Sequence, residues 1–378
     1  MHVAALGLYD FRSYESLDID LGTGPTAFIG PNGQGKTNIV EAVDYLATLG
    51  SHRVSSETPL VRAGAERAVV RSAVVRDERT ALLEVEINPG KSNRARVNRS
   101  PLPRARELVG LLRTVLFSPE DLSLIKGDPS DRRRFLDTLM TTRTPRLAGV
   151  RADYDRVLRQ RNTLLKTIGA ARRGGNTASA LVTLEAWNDQ LSQAGGELLA
   201  ARLELLDALR PYVAEAYRQV AADAATDRVD ATCVYKPSFE HPDEPDREAL
   251  GEALAAELAK RRDDEIDRGI SLVGPHRDDV SLMLGTLPAK GYASHGESWS
   301  FALASKLAAY QLLRDEGDDP ILILDDVFAE LDRGRRDRLA ALVGEAEQVM
   351  ITAAVSEDVP TSLQGRRFEV RDGDVTHV

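Results

Sequence analysis

The stretch that decides the fold of this chain is residues 30–37, which read Gly30-Pro31-Asn32-Gly33-Gln34-Gly35-Lys36-Thr37. They match the Walker A pattern G-x-x-x-x-G-K-T, a loop whose backbone N–H groups surround phosphate oxygens. Apolar residues 26–29 precede the loop as a short buried strand would, and residues 38–46 follow it with helical periodicity. A strand, a Gly-rich loop and a helix in this order predict a nucleotide site rather than a chance turn.

The residue types in this loop also predict their roles. Glycine lets the backbone approach phosphates without a Cβ clash, and the helix N-terminus adds positive partial charge. Lys36 is expected to contact the β- and γ-phosphates and to act in catalysis, and Thr37 is expected to hold Mg²⁺. The residues of this segment predicted to bind ATP are Gly30, Asn32, Gly33, Gly35, Lys36, Thr37 and Asn38.

Length and composition limit the remaining possibilities. A chain of 378 residues is long for one domain, and its apolar and charged fractions are ordinary for a globular protein. A single cysteine, Cys233, excludes an internal disulfide and fits a reducing cytoplasm. No apolar run approaches the roughly 18 residues that span a bilayer, and no secretory signal is visible. We therefore expect a cytoplasmic protein without a membrane partner.

Hydrophobic patterning divides the chain into three parts. Residues 1–115 read as α/β around the loop and helix described above. Residues 116–269 are mostly helical in pattern, and a break at residues 172–177 predicts a short helical hairpin. Residues 270–378 return to α/β, with buried strands near residues 321 and 348. The pattern predicts an α/β P-loop ATPase head built from both chain ends, with an inserted, mostly helical second domain.

An acidic pair follows one of the late strands. The run Ile321-Leu322-Ile323-Leu324-Asp325-Asp326 matches a Walker B motif, an apolar strand that ends in an acid. Asp325 is expected to act in catalysis and to join the Mg²⁺ shell. Asp326 takes the position where many such ATPases place a catalytic glutamate that polarises the attacking water. Because aspartate is one methylene shorter than glutamate, we expect slow hydrolysis.

A third motif predicts a partner for the phosphates. The residues Ser294-His295-Gly296-Glu297 lie 31 residues before Asp325 and open a long predicted helix. They match the ABC signature S-x-G-[QE] and also a capping box, and both interpretations can hold. Residues 329–332 follow at D-loop spacing. In ATPases of this class the signature contacts ATP on the facing protomer, so Ser294, Gly296 and Glu297 predict ATP sandwiched within a homodimer.

Basic residues are concentrated in two stretches although the net charge is −10. Residues 91–113 hold seven basic residues and one acid, and residues 126–173 hold thirteen basic and five acidic residues. One interpretation is a solvated, Arg-rich surface; the other is a track for a phosphate backbone, and the scarcity of aromatics favours duplex DNA. The candidate DNA-binding residues are Arg94, Arg96, Arg99, Arg132, Arg133 and Arg134.

Three further features leave alternatives open. No glutamine occupies the expected Q-loop stretch, where Glu120 or Asp121 is the substitute. Thr352, at the usual position of a switch histidine, either bonds a phosphate or ends a strand. The run at residues 274–279, which includes His276 and Arg277, is either a structural Arg–Asp turn or a link from the insertion to nucleotide or DNA.

Several segments together resemble the RecF family, the bacterial recombination-mediator ATPases related to SMC and Rad50 heads. The matching segments, besides residues 30–38, are Phe117-Ser118-Pro119-Glu120-Asp121-Leu122, Lys126-Gly127-Asp128-Pro129 with Arg132-Arg133-Arg134-Phe135-Leu136-Asp137, Gly274-Pro275-His276-Arg277-Asp278-Asp279, Tyr292-Ala293-Ser294-His295-Gly296-Glu297, and Leu324-Asp325-Asp326-Val327-Phe328-Ala329-Glu330-Leu331-Asp332. They run in order through nearly the whole chain. One departure is His295-Gly296-Glu297, where many members carry Q-G-Q, so contacts around the γ-phosphate are expected to differ.

The resemblance implies more than the residues do by themselves. It implies an ABC-type head that uses ATP and Mg²⁺, dimerises on ATP and binds double-stranded DNA at gaps. It also implies slow, DNA-stimulated hydrolysis, a nucleoid-associated location, and partnership with RecR, with RecO and RecA in the pathway. The expected outcome is RecA loading on gaps that single-strand-binding protein occupies.

Other classes fit the sequence less well. An SMC or Rad50-type head needs long coiled-coil arms, and the hairpin between residues 147 and 222 is too short for them. A transporter's nucleotide-binding subunit keeps its Walker A and signature much closer together than Lys36 and Ser294. A clamp that binds ATP without meaningful hydrolysis stays open as a variant, because Asp326 replaces the glutamate.

Overall fold

Strands from both ends of the chain pair in one sheet. The computed structural model describes residues 1–171, 178–221, 230–243, 245–317 and 319–378. These residues divide into two structural units. The first comprises Met1–Lys126, Pro211–Ala231 and Leu284–Val378, and the second comprises Gly127–Arg210 and Thr232–Met283.

The described strands are, in chain order, β1 (His2–Phe11), β2 (Tyr14–Asp20), β3 (Gly24–Ile29), β4 (Ala68–Arg76), β5 (Arg79–Ile87), β6 (Arg94–Val97), β7 (Ser100–Pro101), β8 (Thr114–Phe117), β9 (Ala231–Lys236), β10 (Asp279–Leu284), β11 (Leu287–Pro288), β12 (Ile321–Asp325), β13 (Gln348–Ala353), β14 (Arg366–Arg371) and β15 (Asp374–His377). The helices are α1 (Lys36–Thr48), α2 (Leu122–Lys126), α3 (Pro129–Arg143), α4 (Leu147–Ala171), α5 (Ala178–Val220), α6 (Arg247–Arg268), α7 (Ala289–Tyr292), α8 (His295–Asp315) and α9 (Arg333–Val343).

The first unit contains a mostly parallel sheet in the order β15-β14-β3-β13-β12-β8. Met350 of β13 lies between Thr26 of β3 and Ile323 of β12 in the register. Every residue of β12 and β13 is buried, which explains why these strands read as continuous apolar runs instead of alternating ones. The predicted head, built from both chain ends, is thereby confirmed.

An antiparallel sheet in the order β2-β1-β4-β5-β6-β7 completes the first unit. Its strands alternate buried and exposed residues, as β2 and β4 do, because one face packs on the core and the other faces water. Helix α1 contributes Ile39, Val40 and Val43 to one hydrophobic core that residues of both sheets share. This packing fixes α1, and with it the loop at residues 30–37, against the parallel sheet.

The second unit is mostly helical. It holds α3, α4, α6, most of α5 and the strand pair β9–β10, and α5 passes into the first unit at Pro211. At 1.5 Å per residue α4 and α5 are roughly 40 and 65 Å long, so both are short beside a coiled-coil arm. The predicted break at residues 172–177 lies outside the described residues. None of the described helices is long and apolar enough to cross a membrane.

The limits of the second unit differ from those of the predicted insertion, residues 116–269. Leu116 and Phe117 belong to β8, which pairs with β12 in the parallel sheet, so the first unit extends to Lys126. Residues 211–231 also belong to the first unit, whereas residues 270–283 belong to the second. Sequence periodicity identifies helices, but the element against which each one packs decides its unit.

Candidate functional site

The side chain of Lys36 forms hydrogen bonds across the loop between β3 and α1. Its Nζ donates to the carbonyl oxygens of Gly30 (2.8 Å) and Pro31 (3.1 Å), and the residue is buried. Both of these acceptors are uncharged carbonyl oxygens. Gly33 and Gly35 have φ angles of 83° and 106°, a backbone conformation that residues with a Cβ rarely adopt. The loop therefore has the backbone shape that its glycines predict.

Gly30 has a second reason to lack a side chain. A Cβ at this position would lie 2.1 Å from the carbonyl oxygen of Val370 on β14. The position of a Cβ is fixed by the backbone of residue 30, and the Val370 oxygen is itself a backbone atom, so no side-chain rotation could relieve this overlap. Gly30 therefore permits the close approach of the loop to the neighbouring strand.

Two polar residues of α1 form hydrogen bonds and ion pairs with neighbouring segments. The Nδ2 of Asn38 donates to Ser13 Oγ (2.9 Å), and its Oδ1 accepts from Arg53 (3.0 Å). The fully buried carboxylate of Glu41 pairs with Arg12. Sequence reasoning missed Glu41 and these partners, although a glutamate within the apolar run of α1 is a signal for a buried ion pair.

Asp325, at the end of β12, receives hydrogen bonds from both sides. Its Oδ1 accepts from Thr37 Oγ1 at 3.0 Å and from Thr352 Oγ1 at 2.6 Å. Thr37 and Asp325 thus bring a hydroxyl and a carboxylate together at the carboxyl edge of the sheet. Oxygen donors of this kind suit a hard cation such as Mg²⁺, so the residues present fit the ion.

Asp326 adopts the left-handed conformation, with φ of 52°. Its backbone N–H donates to Thr352 Oγ1 at 2.9 Å. Burial and the adjacent Asp325 carboxylate raise the pKa of Asp326 above its ordinary value, while Lys36 acts in the opposite direction. The hydroxyl of Thr352 is therefore already hydrogen-bonded to Asp325 and Asp326. Thr352 is also the last residue but one of β13.

His52 is a site residue that sequence reasoning missed. Its Nε2 lies 3.6 Å from Asp325 Oδ2, and the side chain is largely buried. Burial lowers the pKa of His52, whereas Asp325, Asp44 and Glu41 raise it. The effect of the three carboxylates together is the larger, so the pKa lies above its ordinary value. Nothing in the spacing around residue 52 distinguishes this histidine from a surface one, because only the fold brings it to β12.

The signature segment forms a helix N-terminus. Ser294 is the N-cap of α8: its Oγ accepts from the Glu297 N–H at 3.2 Å, and Glu297 accepts from the Ser294 N–H at 2.7 Å. The capping box is thus confirmed, and Ser294 is exposed. A Cβ on Gly296 would lie 2.7 Å from the guanidinium of Arg335 on α9. Lys126 donates to His295 Nδ1 at 3.2 Å.

The two Q-loop candidates have different surroundings. Asp121 accepts from the Ser118 N–H at 2.9 Å and pairs with Lys306 of α8 at 3.0 Å. Burial raises the pKa of Asp121, whereas Lys306 lowers it. Glu120 is exposed, just beyond the carboxyl end of β8. Glu120 is therefore the better candidate for a contact with nucleotide.

Three of the predicted DNA-binding arginines lie on β6 of the antiparallel sheet or in the turn that follows it. Arg94, Arg96 and Arg99 are exposed, and Arg96 shares Glu84 of β5 with Arg71 of β4. A cavity of about 350 Å³ lies here, lined by Arg71, Leu82, Glu84, Arg96 and Arg99. Three guanidinium groups against one carboxylate leave two positive charges at this cavity. Among the described residues Arg99 has no hydrogen-bond or ion-pair partner, and its φ is 71°.

The structure corrects the expectation for Arg132. Its side chain is buried, and its guanidinium donates to both oxygens of Asp279, at 2.7 and 3.1 Å. Arg133 is half-buried and donates to the Asp278 carbonyl oxygen at 2.6 Å. Only Arg134 of this run is exposed. Three adjacent residues on α3 point in different directions, so a basic run in a helix is not a basic surface.

The run at residues 274–279 is a polar junction in the second unit, in which Asp278 is buried, His276 is half-buried and Arg277 is exposed. His276 accepts from the Tyr154 hydroxyl at its Nδ1 (2.7 Å), and its Nε2 donates to the Ser271 carbonyl oxygen (3.2 Å). Arg277 also donates to the Ser271 carbonyl oxygen, at 3.1 and 2.9 Å. Of the two alternatives for this run, the Arg277–Asp pair is therefore not seen among the described residues. Asp278 accepts a hydrogen bond from the Tyr235 hydroxyl, and Asp279 accepts from Arg132.

Comparisons with known proteins agree with this geometry. The family model described as "RecF/RecN/SMC N terminal domain" matches residues 2–366. The chain is 61% identical to the DNA replication and repair protein RecF of Nocardioides sp., over 99% of both chains. It is 60% identical to the protein of the same name from Streptomyces avermitilis, over 100% of both chains.

Solved structures show the same relationship. A structure of the recombination mediator protein RecF with ATP, from the RecFOR pathway, superposes with a TM-score of 0.88 at 27% identity, covering 100% of this chain and 97% of that one. An Smc head domain from Pyrococcus furiosus superposes with a TM-score of 0.54 at 17% identity, covering 100% and 96%, and shows the shared fold alone. The chain belongs to the RecF/RecN/SMC family, and within it to the RecF proteins of DNA replication and repair.

Proposed function

We propose that this protein is an ATP-driven switch that dimerises on ATP and binds duplex DNA at gaps to assist recombination. The observation that carries the proposal is the hydrogen bond between Thr37 and Asp325. It joins Walker A and Walker B residues that the sequence separates by 288 positions. A hydroxyl and a carboxylate beside a loop that also holds the buried ammonium group of Lys36 support phosphate and metal binding.

The first step of the proposed cycle is nucleotide binding. In this proposal the N–H groups of residues 33–37 and the ammonium of Lys36 bind the phosphates, and Thr37 with Asp325 would hold Mg²⁺. The N–H of Asn38 is not included, because it donates to the Gly35 carbonyl oxygen at 3.0 Å. When bound, Mg²⁺ would neutralise charge on the phosphate oxygens. Asp326 is positioned to orient the attacking water, and its short side chain accounts for slow hydrolysis in this proposal.

The second step is dimerisation. Ser294 is exposed at the N-terminus of α8, where the helix dipole favours an anion. The γ-phosphate on a second copy is that anion in our proposal. ATP then closes the dimer and ADP does not, because only the γ-phosphate supplies a contact that differs between the two states.

DNA binding is assigned to the exposed arginines. Arg94 and Arg96 lie on β6, Arg99 lies in the turn after it, and Arg134 lies on α3 of the second unit. Arg132 is left out because its guanidinium is already paired with Asp279. Two uncompensated charges at the cavity beside Arg99 suit duplex phosphates, and no aromatic residue lines that cavity for base stacking.

The cellular role follows from the family. RecF relatives are named for DNA replication and repair, and a similar solved structure is named as a mediator in the RecFOR pathway. We therefore propose RecR as the direct partner, RecO and RecA as further members of the pathway, and a nucleoid-associated, cytoplasmic location. RecA loading at gaps is the proposed outcome.

The test is sedimentation of the purified protein without nucleotide, with ADP and with ATP, each with and without duplex DNA. A Lys36→Arg variant provides the control, since it keeps the charge but not the position of the ammonium group. We expect ATP alone to produce the dimer, DNA binding to follow it, and the variant to show neither. A monomer in the presence of both ATP and DNA would overturn the composite site.

A second measurement separates an enzyme from a passive clamp. Single-turnover ATP hydrolysis is followed with and without gapped duplex DNA, and Asp326→Asn serves as the variant. We expect gapped DNA to increase the hydrolysis rate of the wild type. The Asp326→Asn variant should lose most of its hydrolysis rate but still dimerise. If the wild type dimerises but hydrolyses no faster than the variant, the protein is a clamp.

A further inference from the structure

We propose that Thr352 is a positioning residue for ATP hydrolysis, whose hydroxyl fixes the turn formed by Asp325 and Asp326. This inference rests on the nucleotide site proposed above. Thr352 lies beside Asp325 in the register of the parallel sheet, on the strand next to β12. From there its Oγ1 reaches both acidic residues, at 2.6 Å from Asp325 Oδ1 and 2.9 Å from the Asp326 nitrogen.

The chemistry of one hydroxyl accounts for both contacts. A threonine hydroxyl has one proton to donate and two lone pairs that accept. The proton goes to the Asp325 carboxylate, which has no proton of its own to offer when ionised. A lone pair then accepts the N–H of Asp326. Thr352 therefore orients one acid through its side chain and the next acid through its backbone.

The backbone of Asp326 explains why such a tie is needed. Its φ of 52° lies in the left-handed region, which is unfavourable for a residue with a Cβ. Strained conformations of this kind persist where surrounding contacts determine them. The hydrogen bond from the Asp326 N–H to Thr352 Oγ1 is such a contact.

The geometry also sets the kind of effect expected. Thr352 acts through the two acids and is assigned no contact with nucleotide. Removal of its hydroxyl should therefore slow the chemical step much more than it weakens nucleotide binding. Misplacement of a catalytic group by about 1 Å lowers rates by about 100-fold, so a fall of at least about tenfold is expected.

The chain offers a matched control on a strand next to β13. Thr26 of β3 pairs with Met350 of β13, it is fully buried, and its Oγ1 has no hydrogen-bond partner in the described structure. Thr26→Val and Thr352→Val thus make the same chemical change in the same sheet. Only the second removes hydrogen bonds. Thr352→Ser restores the hydroxyl and tests for rescue.

Four proteins are compared: the wild type, Thr352→Val, Thr352→Ser and Thr26→Val. We expect kcat for ATP to fall at least about tenfold in Thr352→Val, with the ADP Kd within about threefold of wild type. Thr352→Ser should recover most of the rate, and Thr26→Val should match wild type. Equal losses of kcat and ADP affinity, or no loss of kcat, would overturn the positioning role.

A readout independent of activity is the hydrogen exchange of the Asp326 amide. Its N–H is protected by Thr352 in the structure, so exchange should accelerate in Thr352→Val and return to the wild-type rate in Thr352→Ser. Unchanged exchange in Thr352→Val contradicts the inference even when hydrolysis is affected. If wild type shows no hydrolysis at all, the proposed function fails, whereas the exchange experiment still decides the role of Thr352.

Discussion

Thr37 Oγ1 donates a hydrogen bond of 3.0 Å to Asp325 Oδ1, across 288 positions of sequence. Thr37 follows β3 and Asp325 ends β12, and one strand, β13, separates these two in the sheet. Parallel strands place their carboxyl ends at one edge, so the phosphate loop and the acid meet there. The nucleotide site is therefore a property of the sheet and not of either chain end alone.

Asp325→Asn should weaken Mg²⁺-dependent ATP binding at least about tenfold, because it removes the charged oxygen ligand beside Thr37. Binding of ADP in the presence of a chelator should change little. The measurement is a titration of fluorescent nucleotide with and without Mg²⁺. Equal affinities of the wild type and the variant in Mg²⁺ would remove Asp325 from the proposed metal site.

Gly30→Ala should destabilise the first unit by about 1–3 kcal/mol and abolish nucleotide binding, since its Cβ would overlap the Val370 carbonyl oxygen. Gly50→Ala is the control, because a Cβ there meets only Thr48 Oγ1, at 3.8 Å. Denaturant unfolding and ATP titration of both variants make the comparison. A Gly30→Ala protein that binds ATP normally would show that the loop has room to shift.

Arg132→Gln and Arg134→Gln remove the same charge from adjacent positions of α3. We expect Arg132→Gln to cost about 2 kcal/mol of unfolding free energy, because the buried guanidinium loses its two hydrogen bonds to the half-buried Asp279 carboxylate. Arg134→Gln should change stability by less than about 0.5 kcal/mol. Chemical denaturation of both variants distinguishes a buried pair from a surface charge. If Arg132→Gln is destabilised as expected, any loss of DNA binding in that variant is attributed to the lost ion pair and not to a lost DNA contact.

Arg99→Gln should reduce duplex DNA affinity and lower the slope of log K against log salt by about 0.9, the value for one phosphate contact. Its stability should stay the same, since Arg99 has no ion-pair partner among the described residues. Arg314→Gln, in the last turn of α8, is the control for loss of a surface charge. Salt titrations with fluorescent duplex measure both. An unchanged slope in Arg99→Gln would separate the cavity from DNA binding.

Acid should destabilise the second unit through His276. Burial lowers the pKa of His276 to about 4, against an ordinary value of 6.5. Between these values the unfolded chain binds a proton that the folded protein does not, so stability falls as the pH falls. From pH 7 to pH 5 the loss is about 2 kcal/mol. Denaturant unfolding of wild type and His276→Gln at both values checks this, and the variant should lose correspondingly less.

The sequence by itself determined the head and its motifs. Residues 30–37, Asp325 and Ser294 carry their chemistry in short patterns, because a phosphate loop, a strand-end acid and a helix cap are local structures. The spacing of these patterns also indicated the insertion. Chemistry that depends on neighbours in sequence can be read from sequence.

The tertiary structure alone decided which side chains complete the site and which surface is free. His52 and Thr352 reach Asp325 only because the loop after α1 and β13 pack beside β12. Arg132 is removed from the surface by Asp279, which lies 147 positions away. Burial and pairing are properties of contacts between distant segments, and no local pattern records which segments will meet.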